Sequence, residues 1–154
     1  SKLSEQPWMN CHFDFERRNL MVDSNHKIAV IDFQDLCIGP VGIDLAGIIV
    51  DHYISYSDKL INNALKHYIE SSQLDVSVKD VFEWLRWGGI QRNMRILGTL
   101  SNLYIQDNRT FRLKDLPGIL ENLITLIPND EFMSLKEHLS STVMPKLHEE
   151  LEAL

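Results

Sequence analysis

Apolar residues change their period once along this chain. From Trp8 to Phe33 they come in short β-rich bursts, Leu20-Met21-Val22 and Ile28-Ala29-Val30-Ile31. The polar stretch Asp23-Ser24-Asn25-His26-Lys27 separates them, which predicts a hairpin. After Gly39-Pro40 the spacing becomes helical: Ile43, Ala46, Ile49 and Val50 share one face, and Asp44 and Asp51 bound it. Ser57-Asp58 caps a second helix through Leu60, Ile61, Ala64, Leu65, Tyr68 and Ile69. Ser77 opens a third, longer one from Val81 to Leu100, with Gly88-Gly89 as a kink or a close helix contact. A fourth begins near Asp115-Leu116-Pro117, with proline in its first turn, and ends before Pro128. The last runs from Asn129-Asp130 to the C-terminus, with Pro145 as an interior break. A hairpin followed by about five helices predicts a mainly α (α+β) lobe.

Composition narrows the possibilities. The 154 residues are 44% hydrophobic and 24% charged, near globular averages and the size of one ordinary domain. Fifteen basic against 22 acidic side chains give a formal charge of -7, whose field repels a polyanion and argues against nucleic acid as partner. No apolar run approaches a membrane span, since Asp44 and Asp51 interrupt the richest stretch, and the polar start lacks a signal-peptide core. Cys11 and Cys37 are too few for a disulfide framework and read as buried thiols of a reducing compartment, so the expected location is cytoplasmic.

Chemistry concentrates in His12-Phe13-Asp14-Phe15-Glu16-Arg17-Arg18-Asn19 and Ile31-Asp32-Phe33-Gln34-Asp35. Phosphoryl transfer from a nucleotide needs a carboxylate to orient the attacking hydroxyl and take its proton, and oxygen ligands for magnesium. An H-x-D-x-x-x-x-N loop followed by D-F supplies both. Asn19 precedes the first hairpin strand and Asp32 follows the second, so pairing brings the two to its open end, with Asp14 on the loop entering it. Read singly, Asp14 and Asn19 are loop-capping residues and Asp32 ends a strand; their order around a hairpin favours catalysis. His12 reads as a brace of the loop.

These motifs resemble the aminoglycoside phosphotransferase and choline kinase superfamily, relatives of protein kinases: a histidine, aspartate and asparagine in a loop, then Ile-Asp-Phe-x-Asp, then Gly-x-x-x-x-Asp-Leu-Ala. Here the last element is Gly39-Pro40 with Asp44-Leu45-Ala46. The resemblance implies that Asp14 is the catalytic base, that Asn19 and Asp32 bind magnesium and thereby ATP, and that Asp44 braces the loop. A narrower resemblance, to bacterial kinases of N-acetylmuramate and N-acetylglucosamine that act on the anomeric hydroxyl in cell-wall recycling, rests on Arg18 to Val22, on Asp32 to Asp35 with Gly39-Pro40, on Gly89 to Gly98, on Tyr104 and on Asp115-Leu116-Pro117. Gln34, Asp35, Gln91, Arg92 and Arg95 are the substrate candidates. Gln34 and Asp35 sit beside Asp32, where Asp35 either contacts substrate or caps the turn before Gly39. An arginine pair sharing one helix face with Gln91 can hold a carboxylate or sugar hydroxyls. Gln91, Arg92 and Arg95 are otherwise read as a solvated helix face.

Glu16 stands where the family usually has histidine, and Ile43 where an aromatic often precedes the bracing aspartate. The family also has an N-terminal lobe with a nucleotide-covering loop and a phosphate-binding lysine, whereas seven residues precede Trp8. Residues 1–154 are therefore expected to be the C-terminal catalytic and substrate-binding lobe, inactive alone. Phe13, Phe15, Ile31 and Phe33 are expected on an apolar surface that favours self-association or the missing lobe. Another small-molecule kinase, acting on an aminoglycoside, choline or homoserine, and a non-catalytic kinase-like module are the alternatives. Trp84 and Trp87 read as packing residues; His52, His67, His138 and His148 have no partner at metal-ligand spacing.

Overall fold

The change of period at Gly39-Pro40 is also where strands give way to helices. A computed structural model describes residues 2–154. Strand β1 (Trp8–Cys11) leads through a 3-10 turn (Arg17–Asn19) into β2 (Leu20–Val22) and β3 (Ile28–Val30), and β4 (Cys37–Pro40) follows. The helices are α1 (Gly42–Ile49), α2 (Asp58–Ser72), α3 (Val78–Asp107), α4 (Leu116–Leu126), α5 (Asn129–His138) and α6 (Met144–Glu152). The chain forms two compact units, one reaching Gly89 and the other Ile90–Leu154, and α3 runs from the first into the second.

In the first unit β2 and β3 form the expected hairpin, Leu20 opposite Val30 and Val22 opposite Ile28. Asp23 shapes its turn by accepting the Asn25 and Lys27 amides at 2.8 Å each. The sequence pattern did not announce a second antiparallel pair, β1 with β4, in which Trp8 faces Pro40 and Cys11 faces Cys37. Cys11 is buried and donates its thiol to the Gly39 carbonyl at 3.3 Å. Burial first, then the nearby Asp44 charge, push it up to about 11. Cys37 is exposed, which corrects the expectation of two buried thiols: it opens β4 on a ribbon of only two strands, whose residues Cys37 and Ile38 are exposed while Gly39 and Pro40 are buried.

Leu65, Val81 and Leu85 form the core of this unit, with Leu45, Ile49, Ile61 and Trp84 packed against them. Ser57 caps α2 by accepting the Leu60 amide at 3.3 Å. Ser77 and Asp80 cap α3 reciprocally: the Asp80 amide donates to the Ser77 hydroxyl at 3.2 Å, and the Ser77 amide donates to the Asp80 carboxylate at 2.9 Å. Gly88 makes a close contact, within a continuous α3. A Cβ there would lie 2.0 Å from the Gly42 carbonyl oxygen, and one on Gly42 would lie 2.0 Å from that of Trp84. Buried Gln6 ties the same crossing, accepting the Gly42 amide at 3.0 Å and donating to the Trp84 carbonyl at 3.2 Å.

The second unit has Leu100, Leu113, Leu116 and Ile119 in one buried cluster and Leu120, Leu123 and Ile127 in another. The expected break at Pro145 takes the form of a π-helical segment, Leu139–Val143, between α5 and α6. Proline cannot donate to a carbonyl one turn back, and the chain widens instead, the Met144 amide reaching the Leu139 carbonyl. No helix among the described residues is long and apolar enough to cross a membrane.

Candidate active site

The loop between β1 and β2 lacks a ladder of its own, and helix α1 supplies its anchor. The Asp44 carboxylate, in the first turn of α1, accepts the His12 amide at 2.6 Å and the Phe13 amide at 2.9 Å. His12 is buried, and its Nε2 lies 2.8 Å from the Ile31 carbonyl oxygen. Facing a carbonyl, that nitrogen is the donor of the pair; Nδ1 is buried with no hydrogen-bond partner among the described residues. Phe13 follows with a left-handed backbone (φ 65) and lays its ring over Gly39.

Asp14 comes next. Arg18 Nη2 donates to its Oδ2 at 2.7 Å; Asn19 Nδ2 donates to the same oxygen at 3.2 Å and to the Asp14 carbonyl at 2.8 Å. Burial pushes the Asp14 carboxyl up, but hydrogen bonding with Glu16, Arg18 and Asn19, helped by the Arg18 charge, outweighs it and holds the group below the ordinary carboxylate value. Asp14 is thus ionised at neutral pH. Glu16 also reaches Arg18, Oε2 to Nε at 3.4 Å, so the guanidinium spans two carboxylates.

Asn19 is 6% exposed, with both amide bonds made through its nitrogen. Its Oδ1 takes no hydrogen bond from the described residues and is not among the solvent-excluded atoms lacking partners, so it remains an open acceptor. The Ile31 amide donates to the Asn19 carbonyl at 3.0 Å, which carries the hairpin pairing one residue further and sets Asp32 just beyond it. Asp32 also has a left-handed backbone (φ 64), uncommon outside glycine and frequent where a site holds a residue in place. Gln34 Nε2 donates to its Oδ1 at 2.8 Å, leaving Oδ2 open. Oxygen donors of this kind suit magnesium, which keeps waters and phosphate oxygens and needs few protein ligands. No group of three or more His, Cys, Asp or Glu side chains that could hold a metal ion occurs among the described residues.

The structure therefore gathers Asp14, Asn19, Asp32, Gln34, His12 and Asp44 around one hairpin mouth. Asp35 is exposed beside them. Behind the loop lies an open, largely apolar cleft of about 610 Å³, whose lining includes His12, Phe15, Phe33 and Tyr68. Ile31 and Phe33 are exposed, at 42% and 64%; Phe13 and Phe15 are half-buried, Phe13 because it covers Gly39. Gln91, Arg92 and Arg95 belong to the second unit. Arg92 is buried whereas Arg95 is exposed, so the three do not form one solvated face.

Sequence reasoning missed Arg17 and Asp51. Arg17 Nε donates to Asp51 Oδ2 at 2.5 Å, and the Tyr53 amide donates to Asp51 Oδ1 at 2.7 Å. Burial raises the Asp51 carboxyl, but the Arg17 and Tyr53 bonds and the Arg17 charge bring it below its ordinary value. The one available signal was an unexplained aspartate at the end of an apolar helix.

Comparison with known proteins adds to this geometry. Residues 1–86 match the model of the phosphotransferase enzyme family (APH). The N-acetylmuramate/N-acetylglucosamine kinase of Neisseria meningitidis serogroup B is 28% identical over 126 residues, 79% of this chain and 37% of that protein. The protein of the same name from Pseudomonas aeruginosa is 29% identical over 143 residues, 89% of this chain and 42% of its own. That from Pseudomonas putida is 29% identical over 117 residues, 73% of this chain and 34% of its own. The chain thus spans well under half the length of these relatives.

Proposed function

The chain belongs to the phosphotransferase enzyme family, and from that premise we propose that it is the C-terminal catalytic and substrate-binding lobe of an ATP-dependent sugar kinase. The acceptor in this reading is the anomeric hydroxyl of an N-acetylated amino sugar, as the names of the three relatives suggest. One observation carries it: Asp14 is kept ionised by Arg18 and Asn19 on a loop hung from Asp44, beside the mouth of the hairpin that ends in Asp32.

In this reading Asp14 accepts a hydrogen bond from the sugar hydroxyl, aims it at the transferring phosphoryl group and takes its proton as the new bond forms. A depressed carboxyl is a weak base, so orientation is its larger contribution. Asn19 Oδ1 and Asp32 Oδ2 are the atoms that would hold magnesium, which, when bound, neutralises charge on the nucleotide phosphates. Arg18, exposed and shared between Asp14 and Glu16, places a positive charge beside the proposed base. Gln34 and Asp35 are the nearest candidates for sugar contacts, and Gln91, Arg92 and Arg95 are proposed for the same substrate.

The test is phosphate transfer from ATP to N-acetylglucosamine and N-acetylmuramate by the complete kinase, with choline, homoserine and an aminoglycoside alongside. Asp14→Asn should lower turnover roughly 10² to 10⁴-fold with little change in nucleotide affinity. Asp32→Asn should raise the magnesium requirement. Near-normal turnover in Asp14→Asn removes Asp14 from the chemistry, and transfer to choline alone would replace the sugar.

A further inference from the structure

We propose that Arg17 and Asp51 form a positioning pair that fixes the Asn19 turn against Asp14; its catalytic consequence rests on the phosphotransfer reading above. Helix α1 holds the loop twice. Asp44, in its first turn, grips the entrance through the His12 and Phe13 amides, and Asp51, just past its last turn, grips the exit through Arg17. The helix is 8 residues long, which sets the fastenings roughly 10 to 12 Å apart along its axis. Asp14 lies between them in the chain.

An exposed ion pair contributes little to stability, because it fixes two mobile side chains for a small Coulombic gain. Asp51 differs from that case. Its side chain is 10% exposed, and the Tyr53 amide already orients it through Oδ1, so Oδ2 is aimed before Arg17 arrives. Arg17 sits in the same 3-10 turn as Asn19, two residues before it. The consecutive arginines point to different partners: Arg17 to Asp51, Arg18 to Asp14. Anchoring the first keeps the second, and the Asn19 amide, on Asp14. With Arg17 released, the turn keeps its short-range bonds, the Asn19 amide to the Glu16 carbonyl at 2.9 Å, the Leu20 amide to the Arg17 carbonyl and the Arg18 and Asn19 side chains to Asp14, together with the pairing of Ile31 with Asn19, but loses its side-chain tie to helix α1.

Amide hydrogen exchange in this chain tests the pair without any activity. In Asp51→Asn and Arg17→Met, the Asn19 and Ile31 amides are expected to exchange at least about tenfold faster than in the wild type. The Ile61 amide, bonded to the Ser57 carbonyl at 3.0 Å on α2, should keep its rate, and Arg17→Lys should fall between. Unchanged exchange at Asn19 and Ile31 in both variants overturns the proposal. In the complete kinase, Asp51→Asn should lower kcat roughly 10- to 100-fold with the KM for sugar unchanged, the effect of a catalytic loop displaced by about 1 Å. Full kcat in that variant also overturns it. A wild-type kinase that phosphorylates no sugar would instead sink the functional reading, while the exchange result still decides whether this pair holds the turn.

Discussion

Two glycines of helix α3 give alanine substitution opposite signs. Helix propensity alone predicts that Gly88→Ala and Gly98→Ala each stabilise by about 1 kcal/mol, since glycine loses more backbone freedom in a helix interior. Around Gly98 nothing lies within 4 Å of a Cβ, so that gain should be realised. At Gly88 the added carbon would lie 2.0 Å from the Gly42 oxygen, 2.1 Å from its carbon and 2.7 Å from the Ile43 nitrogen, all far inside the 3.4 Å at which ordinary contact begins. These are backbone atoms of α1 and cannot rotate away. Overpacking at the upper end of its usual range, about 3 kcal/mol, less the propensity gain of about 1, leaves Gly88→Ala destabilised by about 2 kcal/mol. At this chain length that lowers the melting temperature by roughly 4 to 8 °C, whereas Gly98→Ala raises it by roughly 2 to 4 °C. Circular dichroism melts of the three proteins suffice. A Gly88→Ala protein melting at or above the wild type would refute the close crossing of α1 and α3.

Asp44→Asn replaces one carboxylate oxygen with a donor, so either the His12 or the Phe13 amide loses its acceptor; a loss of about 1.5 to 3 kcal/mol in urea unfolding is expected. Asp14, Asp51 and Asp80 all have carboxyls held below their ordinary values, so their stabilisation is complete above the unfolded value of about 4 and disappears as pH falls through the folded values. Melting temperature should be level from pH 7 to about 5 and drop below about 4, less steeply in Asp51→Asn; a level curve down to pH 3 would contradict these pairings. Alone, this chain should transfer no measurable phosphate. It should also self-associate through the exposed apolar side chains of the hairpin and the turn after it, Val22 at 66%, Ile28 at 69% and Phe33 at 64%. Light scattering that shows an unchanged mass between wild type and a Val22→Lys, Ile28→Lys variant would discount that surface.

Elements with local signals were legible. The hairpin announced itself by two apolar bursts around Asp23 to Lys27, and α2 to α5 by Ser57, Ser77, Pro117 and Pro128 at their ends. The β1–β4 pair was not, because Cys37-Ile38-Gly39-Pro40 reads as a turn and its partner lies about 30 residues earlier, a non-local pairing with no periodicity to betray it. That Asp14 and Asn19 meet, with Asp32 just past the paired end of the hairpin, could be read from their order around it. What holds the loop could be read only in part: Asp44 came from a motif, but Arg17 and Asp51 are joined across 34 residues, a partnership that exists only after folding. Arg92 misled for a related reason, since a charged helical residue reads as solvated until its neighbours are known.

The unlike environments of the facing cysteines make the protein its own reporter. The sequence holds two thiols; Cys11 is shielded and its carboxylate-flanked sulfur is pushed up to about 11, so at neutral pH it stays protonated and unreactive. Cys37 is exposed, five residues past Asp32 and two past Asp35. A maleimide dye should therefore attach at one position in the native sequence. Its emission would register occupancy of the hairpin mouth without any engineered attachment point, and Cys37→Ser would serve as the blank.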